Sequence, residues 1–186
     1  MHEIARKISD FLIDNGALED KRKVYEYALI CLFNELIIDI ILLFSAAFMS
    51  AIPEMIMWII VFNSLRMNIG GFHANTPEMC SFLSYILGIC SVLLGGKIKI
   101  EMSVIVMVLI LSIVIVYKIA PVVHPKRPIN TQQKNVARKM AVIFLGGWGM
   151  VWIILYQIWM DGVMCGIMAI IGAITLMIIG KMRLQI

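Results

Sequence analysis

Six apolar stretches joined by short polar connections leave this chain few ways to fold, and one polar island interrupts them before the midpoint. The island runs from Arg66 through Gly70, Gly71, His73, Thr76 and Pro77 to Cys80. Hydrophobic residues fill 61% of the 186 positions and charged residues 15%, with a mean hydropathy of +0.94. Soluble domains are roughly half apolar and a quarter charged. These values predict an all-α integral membrane protein. Nearly the whole length is needed for spans and loops, so one membrane-embedded domain, 1–186, is expected.

Segment lengths refine that expectation. Up to about Lys23, Ile4, Ile8, Phe11 and Leu12 recur among charges at helical spacing. That is the pattern of an amphipathic helix on a membrane surface, or of a solvated helical tail. Met1 to Lys7 lacks the apolar core and cleavage site of a signal peptide, so the first hydrophobic segment is expected to stay in the mature protein. Tyr25 to Ser50 is long enough to span. Met55 to Leu65, at about 11 residues, and Ser81 to Gly96, at about 16, fall short of the roughly 20 an upright span needs. Met102 to Val116, Ala141 to Met160 and Gly162 to Gly180 come closer to crossing normally. About six membrane segments result, two of them short or re-entrant. The four cysteines, Cys31, Cys80, Cys90 and Cys165, show no paired spacing that would predict a disulfide framework.

Charge sets the orientation. With six crossings and the amino terminus inside, nearly all Lys and Arg residues fall on the cytoplasmic side and only Lys97 and Lys99 outside, as the positive-inside bias requires. The island then lies near the cytoplasmic face. The net charge of +4 gathers on one surface, and topology accounts for it without a nucleic-acid partner. Glu26, Glu35 and Asp39 interrupt the first span, so they should face protein or water. Glu35 and Asp39 are one turn apart on one helix face, where Arg66 or another basic residue is a candidate partner.

The island itself suggests chemistry. Thr76-Pro77 reads as a helix start, with the hydroxyl as cap and proline in the first helical position, where its missing N–H costs nothing. Cys80 then falls in the first turn or so, where the helix dipole favours an anionic sulfur and Glu78 opposes it. His73 precedes the cap on a chain that Gly70-Gly71 lets bend back towards Cys80. On an unbroken helix the two would stand about 10 Å apart along the axis, too far to share a proton. A paired His and Cys suit acyl transfer: the imidazole draws off the thiol proton, the sulfur attacks a carbonyl, and the imidazolium protonates the departing amine. The bland reading is a packed cysteine and a loop histidine.

Arg66, Gly70-Gly71-x-His73-Ala74 and Cys80, followed by Ser84, resemble the signature of the accessory gene regulator B family. The likeness extends over most of the chain, including a polar loop with Pro121, Lys126, Arg127 and Pro128 before the last two spans. The resemblance implies a membrane cysteine endopeptidase that processes a small signal propeptide for bacterial quorum sensing, in the cytoplasmic membrane. It implies His73 and Cys80 as the catalytic pair, with Arg66, Gly71 and Ser84 in supporting or substrate-binding roles. The partners it implies are an amphipathic propeptide, the lipid bilayer and a second copy of the chain as a homodimer.

Two other classes compete. A multispanning transporter or exporter of a small peptide or ion would use Glu26, Glu35 and Asp39 and tolerate loss of Cys80. A noncatalytic membrane partner of a sensor would tolerate both changes. No cofactor is expected. No metal site is expected either, because His2, His73, Cys80 and His124 show no zinc-ligand spacing.

Overall fold

The computed structural model describes residues 2–70, 77–122 and 130–184, with all of their side chains except those of 77–80 and 183–184. Helix α1 (His2–Asp14) precedes six longer ones: α2 (Arg22–Phe48), α3 (Ile52–Ile69), α4 (Pro77–Gly95), α5 (Met102–Ile119), α6 (Thr131–Leu155) and α7 (Met160–Leu184). Among the described residues there is no strand, only an isolated bridge between Gly70 and Val122. The protein is all-α, as the composition predicts. Helices satisfy their own backbone polar groups, which is what lipid demands.

Successive helices alternate in direction. At one end of the bundle the Trp159 indole N–H donates to Glu54 Oε1 at 3.0 Å. Beside it, the Tyr156 hydroxyl donates to the Ile100 carbonyl at 3.0 Å. These bonds gather the start of α3, the approach to α5 and the α6–α7 junction. At the other end, the Val122 N–H donates to the Ile69 carbonyl at 3.0 Å, and Arg138 Nε donates to the Ala120 carbonyl at 2.8 Å. These join the ends of α3 and α5 to the early part of α6.

Each of the two short segments lies in a single continuous helix that does not turn back on itself. The 18 residues of α3 and 19 of α4 rise about 27 and 28 Å, slightly under a typical hydrocarbon core of about 30 Å. α3 outruns the apolar stretch Met55 to Leu65 because it continues through Arg66 and Asn68 to Ile69. It can do so because its neighbours cover it: Met55, Trp58, Val61, Phe62, Leu65 and Ile69 are all buried. α7 packs along α3 and also against α4 and α5, and 72% of its most apolar window is buried. α2 is the opposite case at 6%. Its Leu36, Ile40, Phe44 and Phe48 stay exposed, a surface suited to lipid.

The remaining boundaries follow local chemistry. α6 starts at Thr131, about ten residues before its apolar part, because Asn130 and Gln133 form a capping box. The Asn130 side chain accepts from the Gln133 N–H at 2.8 Å, and the Gln133 side chain accepts from the Asn130 N–H at 3.0 Å. α1 is amphipathic as expected, but it docks on α2 through small residues. Ala5 and Ser9 are buried while Ile4 and Phe11 remain exposed. An ion pair between Asp10 and Arg22 fastens it.

Candidate functional site

α4 begins at Pro77, where the threonine–proline pair places the helix start, and Cys80 is its fourth residue. Gly71 and His73 lie outside the described residues, as does the Cys80 side chain, so the geometry of the His–Cys pair does too. The frame on which they are strung is described. Arg66 occupies the last turn of α3. Its Nη1 donates to Ser84 Oγ at 2.9 Å, and its guanidinium carbon lies 5.3 Å from the centroid of the Phe62 ring. Phe62 and Arg66 are one turn apart on α3, so the ring forms a floor for the cation while the hydroxyl accepts from it. Ser84 is buried. It sits one turn after Cys80 on α4, about 6 Å along the axis. The bond therefore ties the end of α3 to α4 next to the turn that carries Cys80.

Gly70 closes α3 on terms a side chain could not meet. Its φ is +66° and its ψ −153°, a conformation that L side chains disfavour. A Cβ there would stand 2.2 Å from the Val122 carbonyl oxygen. From sequence, this glycine supplies freedom to bend; in the structure it permits a close backbone contact that holds α3 against the segment after α5. The segment bearing Gly71 and His73 thus leaves from a fixed point.

Asp39 finds an amide as its partner: Asn63 Nδ2 donates to Asp39 Oδ2 at 2.9 Å. Ser64, the next residue on α3, accepts from the Trp148 indole N–H at 3.2 Å. Asn63, Ser64 and Arg66 thus reach α2, α6 and α4 respectively. Sequence reading passed over Asn63 and Ser64 by counting them within an apolar run. The available signal was their polarity, since a polar side chain inside a membrane helix calls for a partner on a neighbouring helix. Of the residues weighed for zinc, His2 lies on α1, while His73 and His124 lie outside the described residues. Among the described residues no group of three or more His, Cys, Asp or Glu could hold a metal ion.

The bundle defines a membrane protein, with four helices among the described residues long and apolar enough to cross a bilayer and a shorter pair that carries polar residues at its core. The accessory gene regulator B family model matches residues 5–180, and the chain belongs to that family. It is also similar to AgrB-like protein 2 of Clostridium perfringens (strain 13 / Type A), with 27% identity over 144 residues. That match covers 73% of this chain and 65% of the relative, so the chain spans about two thirds of the curated protein's length. No solved structure matches.

Proposed function

We propose that this chain is a membrane cysteine endopeptidase that cuts a small amphipathic signal propeptide near its carboxyl end. The retained part is then closed into a thiolactone or lactone ring that serves as a quorum-sensing signal. The supporting observation is the Arg66–Ser84 bond, which joins α3 to α4 beside the Cys80 turn in a chain of the accessory gene regulator B family. Arg66 has what the chemistry requires of a neighbouring group: a permanent charge and a planar fork of donors for an oxyanion or a carboxylate.

In this reading His73 takes the proton of Cys80, and the thiolate attacks the scissile carbonyl. The C–N bond breaks, and the imidazolium returns its proton to the departing amine. The amino-terminal part of the propeptide remains as a thioester. A cysteine or serine of the bound peptide attacks that thioester, closes the ring and releases Cys80. Exchanging a thioester for a thiolactone conserves bond type and needs no ATP, provided water is kept from the intermediate. Backbone N–H groups near Gly71 or at the start of α4 would contribute to the oxyanion site.

The site lies at the cytoplasmic face of the bacterial cytoplasmic membrane. The alternating helices put Arg66, Lys118, Lys134, Arg138, Lys139 and Lys181 at one end and Lys97 and Lys99 at the other, which supports that orientation. The amphipathic propeptide would share that membrane surface, and a homodimer belongs to the same reading.

The test is mass spectrometry of the protein in lipid with its propeptide, comparing wild type with Cys80→Ala. Processing should fall at least about a thousandfold in the variant, and wild type should yield a truncated peptide lighter by one further water. Equal processing by the variant would reject the mechanism. An exporter, the reading that Asp39 inside α2 favours, would instead move peptide normally with Cys80→Ala and fail with Asp39→Asn.

A further inference from the structure

A groove between α5 and α6 lies apart from the α3–α4 frame and opens on the outer surface of the bundle. Ile105, Leu109 and Leu145 form its floor, each 8% exposed or less, while Ile110, Met150 and Ile153 form walls at 58–72% exposure. Its volume is about 210 Å³. Gly146 helps open it, since a Cβ there would meet nothing within 4 Å.

Beyond the Leu145 end of the groove, and outside its lining, stand two cations. Arg138 and Lys139 precede Leu145 and Gly146 by seven residues on α6, which puts them on the same faces about 10 Å further along the axis. The Arg138 Nε is engaged with the Ala120 carbonyl, and its guanidinium carbon lies 5.9 Å from the centroid of the Tyr117 ring. Tyr117 is 64% exposed, so this pair stands on the lipid-facing side of α5. Among the described residues, neither the terminal nitrogens of Arg138 nor the Lys139 ammonium makes a hydrogen bond or ion pair.

We propose that this groove binds one anionic phospholipid, with its phosphate at Arg138 and Lys139 and one acyl chain along the α5–α6 seam. A guanidinium fork held by its Nε still presents its two outer nitrogens to phosphate oxygens. The rise of about 10 Å from Arg138 to Leu145 leaves room for the glycerol between a phosphate at the cations and a chain in the groove. Basic pockets between membrane helices at the cytoplasmic side are suited to such headgroups. An acidic peptide tail would meet the same charges, but the lining beyond them is apolar and lies on the flank of the bundle. That lining favours the acyl chain.

The test is native mass spectrometry of the full-length protein titrated with phosphatidylglycerol or with phosphatidylcholine of identical chains. Phosphatidylglycerol should be retained at least about fivefold better, and Lys139→Gln should lower that preference without disturbing any contact in the fold. Gly146→Leu should reduce binding of both lipids by filling the groove. Gly147→Leu should not, because its Cβ also meets nothing within 4 Å yet Gly147 does not line the groove. Equal retention of the two lipids by wild type would overturn the proposal, as would equal effects of the two glycine variants. Displacement of phosphatidylglycerol by a Glu-rich peptide, with Gly146→Leu silent, would also overturn it and assign the cations to peptide.

Discussion

The two ends of this bundle are closed by different means. At one end aromatic residues with polar tips do the work: Trp159 donates to Glu54 and Tyr156 to the Ile100 carbonyl. Beside them the Cys165 thiol faces the Ser91 carbonyl at 3.6 Å. Packing there is tight, and a Cβ on Gly95 would come within 2.7 Å of Cys165 Sγ. At the other end, guanidinium groups and bare backbone hold the helices, through Arg66 to Ser84, Arg138 to Ala120 and Gly70 against Val122. The first end uses apolar bodies that bury well in a membrane interface. The second gathers charge and fixed backbone around the segment that carries His73 and Cys80. Under the proposed function, stability and chemistry divide between the two ends, and glycine variants at each end can test that division.

Gly70→Ala should have the largest effect. It forces a methyl group against a backbone oxygen, which cannot move as a side chain would, at a positive φ that alone costs about 1–2 kcal/mol. We expect a loss above about 2 kcal/mol in detergent unfolding and at least a tenfold loss of propeptide cleavage per folded molecule. Gly95→Ala should cost about 1–3 kcal/mol by overpacking, with cleavage per folded molecule within about twofold of wild type. If both variants lose activity only as they lose folded protein, the comparison fails.

A smaller effect belongs to Ser84→Ala. The Arg66 guanidinium would lose an acceptor in a half-buried setting, where a hydrogen bond to a charged group contributes about 1.5–3 kcal/mol. Turnover per folded molecule should fall at least about tenfold, more than the fall in melting temperature accounts for, and Ser84→Thr should restore most of it by returning the hydroxyl. A loss of stability without a change in turnover would make Ser84 a packing residue only.

Much of this arrangement was legible in the sequence, for reasons that also mark where legibility stops. Apolar stretches announce membrane helices because the bilayer sets their length, and Pro77 announces the start of α4 because proline fits the first helical turn. Hydropathy could not say which helix lies inside, since α2 and α7 are both apolar and only their neighbours distinguish them. Nor could it extend α3 past Leu65. Arg66 stops an apolar count that has already passed over Asn63 and Ser64, yet the helix continues because α2, α6 and α4 each supply a partner to these three residues, and such partners are distant in sequence. Gly70 was visible as a glycine but not as a contact, because Val122 meets it from across the bundle.

Trp159→Phe should have the smallest effect and test the separation most sharply. The ring body is kept and only the N–H to Glu54 is lost, so the stability cost should be about 1 kcal/mol or less, in line with membrane hydrogen bonds. Glu54 and Arg66 stand on the same unbroken helix, in its first and last turns and about 18 Å apart along the axis. If α3 only anchors the two ends independently, cleavage by Trp159→Phe should stay within about twofold of wild type at temperatures where both are folded. A larger loss would mean that α3 transmits the position of Glu54 to Arg66 as a rigid rod, and the aromatic end would then be part of the machinery at the other end.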